Sequence, residues 1–237
     1  MKLDALFIGS HPDDIELTCG GTVCKLADSG KKTGIIDLTK GELSTRGNLV
    51  QRKKETEKAS KVMGIKVRKN LGLKDGNIIN NSENRKKLIK LIREFQPEIV
   101  FAPYPSDRHP DHINASNFIR EAVFYSGLRK IVTGNLKAYR PKKVFYYRHA
   151  YDIPISFIMD VSESFGKKLE AIKCYDSQFY NTKYQKKEPE TYISSKRFLD
   201  DIITRAKFFG FKIGVEYGEP FFCYEEMKMN GEMVFDI

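Results

Sequence analysis

Short apolar runs alternate with longer amphipathic stretches through the first half of the chain. Apolar runs occupy residues 3–9, 33–38 and 98–102, and another begins at residues 65–67. Runs that stay apolar at successive positions are typical of strands buried on both faces of a sheet. We therefore predict four strands in this half.

The stretches between these runs carry apolar residues at helical spacing. The clearest lies at residues 85–95, where apolar side chains recur every three or four positions. Related patterns predict helices at residues 20–30, 51–63 and about 113–125. Strands that alternate with helices favour a parallel sheet with right-handed crossovers. The expected fold is therefore α/β, a Rossmann-like three-layer sandwich with a mainly parallel sheet.

The second half of the chain is less regular. Its predicted elements are strands at 143–148, 155–161 and 212–216, and helices at 164–175 and 197–209. Residues 182–190 (TKYQKKEPE) are the best candidate for a mobile loop. Because no linker rich in glycine, serine or proline divides the chain, we expect residues 1–237 to form a single domain.

Composition excludes several classes of protein. Charged residues make up 30% of the chain and hydrophobic residues 41%, a balance typical of folded rather than disordered proteins. No apolar run approaches the roughly 18 residues that a membrane helix needs, and the N-terminus lacks the zones of a secretory signal. The cysteines form no CxxC pair, which indicates reduced thiols and a cytoplasmic protein.

Basic residues outnumber acidic ones by 41 to 31, which gives a formal net charge of +10. Such a surplus occurs in proteins that bind nucleic acid, anionic surfaces or acidic small molecules. Here the basic residues are dispersed among polar ones and accompany no nucleic-acid-binding motif. A solvated, lysine-rich surface is the better interpretation, and we expect neither nucleic acid nor a membrane as a partner.

Three of the four histidines lie in two segments that are dense in carboxylates. SHPDDIE, residues 10–16, follows the first strand, and DRHPDH, residues 107–112, follows the fourth. In a doubly wound sheet, ligands bind beyond the carboxyl ends of the strands, where the strand order reverses. A strand order of 3-2-1-4 makes the first and fourth strands neighbours at that point. The two segments should therefore face each other.

Histidine and aspartate side chains that converge in a crevice suit a divalent metal, zinc first. His11 and Asp14 are spaced like ligands on one turn, and His112 could complete the set from the opposite loop. Three protein ligands leave one coordination position open, which marks a catalytic site with an activated water. Asp13 would then be free to accept the proton of that water.

His109 and Asp111 extend this interpretation. His109, with Asp111 as its orienting partner, could supply positive charge to an oxyanion or protonate a leaving amine. The plainer alternative is that these histidines are ordinary surface residues and that the two aspartates cap a helix. Two such segments at one switch point favour a site instead. His149 has no carboxylate cluster in its strand, and we leave it outside the site.

The motifs HPDD and RHPDH, at residues 11–14 and 108–112, resemble those of the PIG-L/LmbE-type zinc-dependent N-acetylglucosamine deacetylases. The resemblance extends along the chain, and segments such as KGELSTRG (40–47) and SQFY (177–180) look like the bacillithiol-biosynthesis branch. It implies a hydrolase that removes acetate from N-acetylglucosaminyl malate, or from another substrate that contains N-acetylglucosamine. It also implies Zn²⁺, with Fe²⁺ as an alternative, and a homo-oligomer, either a trimer or a hexamer.

The resemblance gives the site residues the same roles as their chemistry does. It implies a metal-ligand triad of His11, Asp14 and His112, and a catalytic set of Asp13, His109 and Asp111. The planar fork of a guanidinium suits the carboxylates of an aglycone such as malate. The candidates for this contact are Arg52, Arg108 and Arg46.

Two other classes of function stay open. A metal-dependent phosphoesterase would more naturally show enough carboxylates for two metals. A non-catalytic, Rossmann-like ligand-binding module would have no use for Asp13 beside a metal.

Overall fold

The computed structural model describes residues 1–181 and 188–228. The strands of this part are β1 (Ala5–Gly9), β2 (Thr33–Asp37), β3 (Val67–Asn70), β4 (Ile99–Pro103), β5 (Lys143–Tyr147), β6 (Phe157–Asp160) and β7 (Gly218–Phe222). The α-helices are α1 (Asp14–Asp28), α2 (Leu49–Val62), α3 (Ser82–Phe95), α4 (Pro110–Ser126), α5 (Phe165–Lys173) and α6 (Lys196–Phe211), and a 3₁₀ turn covers Tyr192–Ser194. None of these helices is both long and apolar enough to cross a membrane.

All seven described strands belong to one sheet in the order β3-β2-β1-β4-β5-β7-β6. The first five are parallel, and β1 lies between β2 and β4, with Ala5 opposite both Thr33 and Ile99. β7 runs antiparallel to β5 and β6. The structure confirms the α/β fold with a mainly parallel sheet, and it confirms that the first and fourth strands are neighbours.

Helices cover both faces of the sheet because its central strands are buried throughout. Leu6 and Ile8 of β1 pack against α3 and α4, whereas Phe7 faces the opposite core with α1, α2, α5 and α6. This alternation follows from the two-residue period of a strand. Two apolar cores thus fix the sheet in the middle layer and hold the carboxyl ends of β1 and β4 side by side.

The last predicted strand is wrong. Residues 212–216 form the turn that ends α6, and the strand that completes the sheet begins at Gly218. In the turn, Val215 donates its main-chain N–H to the carbonyl of Gly210, and Gly214 has a φ of +73°. That left-handed conformation favours glycine and ends helices. The true strand, GEPFF, was hidden because glycine and proline rarely indicate a strand.

Helix α1 begins at Asp14, six residues before its predicted start at Gly20. The two glycines at 20 and 21 lie inside the helix, where neighbouring elements approach closely. A side chain at Gly21 would place its Cβ 2.9 Å from the Cβ of Val161. The glycines therefore serve packing, and they do not mark the helix start. The predicted loop at 182–190 lies mostly outside the described residues, since residues 182–187 are not among them.

A buried ion pair joins the two halves of α1, which is broken at Cys19. Lys168 donates to the carbonyl of Thr18 at 3.0 Å and pairs with Glu219 at 2.6 Å. Glu219 accepts from the main-chain N–H groups of Gly21 and Thr22 at 3.0 and 2.7 Å. The pair thus satisfies the main-chain groups that the break exposes, and it ties α1 to α5 and β7.

We expect Glu219→Gln to destabilise the fold strongly. The substitution removes the charge that balances Lys168, whose side chain is only 4% exposed. Breaking one side of a buried ion pair costs about 3–5 kcal/mol. Urea unfolding monitored by circular dichroism would measure the change in the free energy of unfolding.

The matched control is Asp28→Asn, because Asp28 also joins α1 to α5 through Lys167, at 2.6 Å, but on the exposed surface. Solvent screens such a pair, so its loss should change stability several-fold less than Glu219→Gln. Equal effects in the two variants would contradict the role given to the buried pair.

Candidate active site

The loops after β1 and β4 meet at the carboxyl edge of the sheet and bring the predicted metal triad together. His11 Nδ1 lies 3.6 Å from Asp14 Oδ2, and His112 Nε2 lies 3.5 Å from Asp14 Oδ1. One ligand atom from each of these three residues lies within 4.8 Å of the others. Two carboxylate oxygens and two ring nitrogens thus converge on one small volume, as a single cation requires.

The backbone conformation of the loop between β1 and α1 orients the side chains of its residues. Asp13 has a φ of 115°, a conformation that is strained for any residue except glycine. The resulting turn lets the main-chain N–H of His11 donate to Asp14 Oδ2 at 2.9 Å. Asp13 stands at the N-cap of α1, but its side chain makes no capping bond. The plain helix-cap interpretation of Asp13 is therefore wrong, and its carboxylate is available for other contacts.

Carboxylates behind the two histidines fix their rings. His112 Nδ1 lies 2.9 Å from Asp107 Oδ1, so its Nε2 faces Asp14. His11 Nε2 lies 3.1 Å from Asp75 Oδ1 and 3.3 Å from Asp111 Oδ2, so its Nδ1 faces Asp14. Metal-binding histidines commonly donate their other ring N–H to a carboxylate in this way. The donor set and its support fit a divalent metal held by His11, Asp14 and His112.

The charges of the triad are matched to one another. Burial alone would raise the pKa of Asp14, but His112 and His11 hold that pKa well below its usual value. In turn, Asp14 raises the pKa of His11 against the effect of burial, and Asp14 with Asp107 raises the pKa of His112 to about 9. The two rings thus carry the positive charge that Asp14 requires. A divalent cation would supply the same charge and leave both rings neutral.

Asp13 lies beside the triad in a different environment. Its carboxylate accepts a hydrogen bond from Arg52 Nη1 at 2.9 Å, and the same atom donates to the carbonyl of Pro12 at 2.6 Å. Burial raises the pKa of Asp13 to about 7, although the charge of Arg52 opposes this. A carboxylate with a pKa near 7 is well suited to accept and return a proton at neutral pH.

His109 reaches the site from the N-cap of α4, and its contact with Asp111 differs from the prediction. His109 Nδ1 accepts from the main-chain N–H of Asp111 at 3.2 Å. The Asp111 carboxylate instead contacts His11 and accepts from the N–H of Gly76 at 2.8 Å. Burial, His112 and His11 lower the pKa of His109. The neutral ring then carries its proton on Nε2, so His109 presents an N–H donor instead of a full positive charge.

The three predicted substrate arginines separate in the structure. Arg52 lines the cavity, but its guanidinium is engaged by Asp13, Pro12 and the hydroxyl of Ser44. Arg108 is exposed at the cavity rim, with its guanidinium 5.5 Å from the ring centre of Tyr192. Arg46 is not among the residues that line the cavity. Only Arg108 keeps the disposition that a contact with the aglycone requires.

The sequence prediction missed three residues of the site. His149 Nε2 lies 3.2 Å from Asp14 Oδ1, and its ring centre lies 3.9 Å from that of His112. Asp75 and Asp107 support the ligands as described above. His149, with Asp107 and His112, forms another group able to hold a metal, so leaving it outside the site was wrong. Its position just after β5, the neighbour of β4, is the signal that could have found it.

A cavity of about 550 Å³ opens over these residues. The triad, Asp13 and His109 line the cavity. Its lining also includes apolar residues of α6, namely Phe198, Ile202, Ala206 and Phe209. A cavity of this size takes a small molecule with both polar and apolar surfaces.

Comparison with known proteins shows which family the chain resembles. Residues 6–123 match the family model PIG-L, whose description is GlcNAc-PI de-N-acetylase. The matched range contains both histidine segments, all of β4 and all of β1 except Ala5.

Individual relatives match over most of their length. The chain is 31% identical over 199 residues to the diacetylchitobiose deacetylase of Thermococcus kodakarensis, which covers 78% of this chain and 73% of the relative. It is 28% identical over 188 residues to a Bacillus anthracis protein named "Probable N-acetyl-alpha-D-glucosaminyl L-malate deacetylase 2", at 73% and 80% coverage. A crystal structure of a conserved protein from Thermus thermophilus superposes with a TM-score of 0.87 at 34% identity, and covers 97% of this chain and 98% of that one.

We expect Asp107→Asn to weaken metal binding about 10- to 100-fold, because loss of a carboxylate behind a ligand typically has this effect. His112→Ala should weaken it further, since it removes a ligand atom. Calorimetric titration of Zn²⁺ into metal-free protein would measure both.

Asp160→Asn is the control, since Asp160 lies on the edge strand β6 and accepts from Ser162. It should bind Zn²⁺ like the wild type. Wild-type affinity in Asp107→Asn would show that the carboxylate does not orient His112 for a metal.

Proposed function

Because this chain belongs to the PIG-L family of N-deacetylases, we propose that it uses Zn²⁺ to remove the acetyl group from an N-acetylglucosaminyl conjugate, N-acetylglucosaminyl malate first. The name of the B. anthracis relative supports this substrate. Two ring nitrogens and one carboxylate are a donor set that suits Zn²⁺, and Fe²⁺ is the alternative.

The observation that carries the proposal is the placement of buried Asp13 directly beside the metal triad. Asp13 is 6% exposed, keeps a strained backbone and lines the same cavity as His11 and His112. A ligand-binding module would gain nothing from this strain. A two-metal phosphoesterase would need several of these carboxylates as ligands, whereas in our assignment Asp75, Asp107 and Asp111 orient the rings of His11 and His112. Hydrolysis with one metal and one general base fits the geometry best.

Bound zinc would polarise the acetamide carbonyl and lower the pKa of the attacking water. Asp13 accepts a proton from that water as it attacks the carbonyl carbon. Arg52 holds the carboxylate of Asp13 in place through its 2.9 Å contact. The Nε2–H of His109 donates toward the carbonyl oxygen as negative charge develops there. The C–N bond then breaks, and the proton taken by Asp13 goes to the leaving amine.

A second substrate has its own support. The T. kodakarensis relative is named a diacetylchitobiose deacetylase and is the more identical of the two sequence relatives. The cavity of about 550 Å³ is lined by α6 as well as by the triad, and we expect it to take a second sugar or another aglycone beside the reacting sugar. The two substrates share the reacting N-acetylglucosamine and differ in the charge of what is attached to it.

A cytoplasmic location also remains part of this proposal. All four cysteines are free thiols, and three of them, Cys19, Cys24 and Cys223, are buried. Burial raises the pKa of Cys24 to about 12, so that thiol stays protonated and unreactive. These features fit a reducing compartment.

We expect Asp13→Asn to lower kcat for acetate release about 10²- to 10⁴-fold, the usual contribution of a general base. Zinc content, measured by atomic absorption, should match that of the wild type, because Asp13 is not a ligand. Loss of zinc together with activity would place Asp13 among the ligands and contradict the assignment.

The substrate proposal predicts a higher kcat/KM for N-acetylglucosaminyl malate than for diacetylchitobiose or free N-acetylglucosamine. A coupled acetate assay on zinc-loaded protein would give the three values. A preference for diacetylchitobiose would favour the second candidate, and the absence of acetate release from all three would refute the deacetylase proposal.

A further inference from the structure

Two arginines converge on one carbonyl beside the metal triad. Arg148 follows β5, and Arg205 comes from the middle of α6. The Nη1 atom of Arg148 lies 3.1 Å from the carbonyl oxygen of His149, and the Nη1 atom of Arg205 lies 3.5 Å from the same oxygen. Because the side chain of His149 contacts Asp14, both guanidinium groups stand one residue away from the triad. Both also line the cavity.

Within the described part of the chain, Arg205 forms no ion pair with a carboxylate at 4.0 Å or less, although the charge of Asp201 acts on it from a greater distance. Its two hydrogen bonds go to main-chain carbonyls, of Asp201 at 3.3 Å and of His149 at 3.5 Å, and both are long. The carboxylate of Asp201 is contacted by Tyr192 and Arg197 instead. Burial and the charge of Arg148 lower the pKa of Arg205. Placing an unbalanced guanidinium in a half-buried wall costs free energy that an anion would recover.

Other buried arginines do not share this feature. Arg52 pairs with Asp13, and Arg68 pairs with Glu16 and Asp37. Arg93 pairs with no carboxylate of residues 1–181 and 188–228, but it donates to three main-chain carbonyls and a hydroxyl, and it is not among the cavity residues. Arg205 thus differs from these three arginines, because it lines the cavity and its hydrogen bonds go only to two main-chain carbonyls at long distance.

Arg148 makes more hydrogen bonds than Arg205, and it lies beside Arg205. It donates to Asp152 at 2.9 Å and to the carbonyls of His149 and Ala150. These contacts hold its guanidinium against the turn after β5 and beside Arg205. It therefore adds positive charge to the same wall, while Arg205 retains the free hydrogen-bonding capacity.

We propose that Arg205, supported by Arg148, binds a carboxylate of the substrate's aglycone. The proposal rests on the proposed function, because it assumes that the acetamide of the substrate lies at the metal triad. It adds two residues that the sequence did not indicate, Arg205 and Arg148, to the cavity-lining Arg108. Of the other predicted arginines, Arg52 contacts Asp13 and Arg46 is not among the cavity residues. An aglycone that leaves the triad toward α6 meets Arg205 beside the rings of Phe198 and Phe209.

The test compares two substrates with the same reacting sugar, one anionic and one neutral. These are N-acetylglucosaminyl malate and methyl N-acetylglucosaminide. In Arg205→Gln, the ratio of kcat/KM for the anionic over the neutral substrate should fall about 10- to 100-fold, mainly through KM, as expected for loss of a charged hydrogen bond. Arg205→Lys keeps the charge and should recover part of the ratio.

Arg197→Gln is the matched control, because Arg197 lies on the same helix with its side chain 86% exposed. Its ratio should stay within about twofold of the wild type. A wild-type ratio in Arg205→Gln, or an equal loss for both substrates, would overturn the proposal. If Arg205→Gln fails to fold in a thermal melt, Arg148→Gln takes its place, with a smaller fall in the ratio expected.

A binding measurement separates this proposal from the proposed function. Calorimetric titration of N-acetylglucosaminyl malate is carried out on two zinc-loaded proteins that both carry Asp13→Asn, so that the compound is hydrolysed only slowly. The protein that also carries Arg205→Gln should bind it at least about tenfold more weakly than the protein with Arg205. Absence of acetate release from both substrates would refute the deacetylase proposal alone. Equal affinity of the two proteins would refute the role of Arg205, whatever the activity.

Discussion

The carboxylate of Asp14 is buried between two histidine rings, and its negative charge sets the requirement that the surrounding residues meet. Asp14 is 4% exposed, and burying an unpaired carboxylate would be costly. The rings of His11 and His112 balance that negative charge, His11 from the segment after β1 and His112 from the segment after β4. The ring nitrogen that points away from Asp14 contacts another carboxylate in each case, Asp75 for His11 and Asp107 for His112. The strained turn at Asp13 serves the same arrangement, because it lets Asp14 begin a helix and still face both rings.

A second group of charged residues, centred on Arg68, lies next to this centre and pairs with two of the neighbouring acids. Arg68 pairs with Glu16 at 2.6 Å and with Asp37 at 2.8 Å, and the Tyr175 hydroxyl donates to Glu16 at 2.9 Å. Arg68 thus balances the charges of Glu16 and Asp37. The adjacent residues Asp13 and Asp14 can then take different roles. Asp14 stays ionised between two cations, whereas burial raises the pKa of Asp13 to about 7. Environments that separate the pKa values of two carboxylates commonly mark a ligand and a base.

Most of the fold could be predicted because its signals are local. Apolar runs and helical periodicity located the central strands and the helices between them, and the switch-point rule placed β1 beside β4. The failures have physical causes of the same kind. The strand GEPFF carries glycine and proline because Gly218 packs against α6, where a side chain would meet the backbone at 2.8 Å. Gly20 and Gly21 mimic a helix boundary because α1 needs small residues beside α5 and β7.

Local sequence patterns were enough to predict the parallel core, the two histidine segments and their meeting at one edge of the sheet, because strand period and strand order follow from such patterns. Folding of the whole chain set which atoms touch. It brought His149 and Asp75 to the centre from loops without any motif. It placed Arg52 in contact with Asp13 and not with a substrate as predicted, and it placed the Asp111 carboxylate in contact with His11 and not with His109. Such contacts depend on the direction of side chains and on the balance of charge among residues that are distant in the chain. Neither property produces a periodic pattern in the sequence, so neither can be predicted from it.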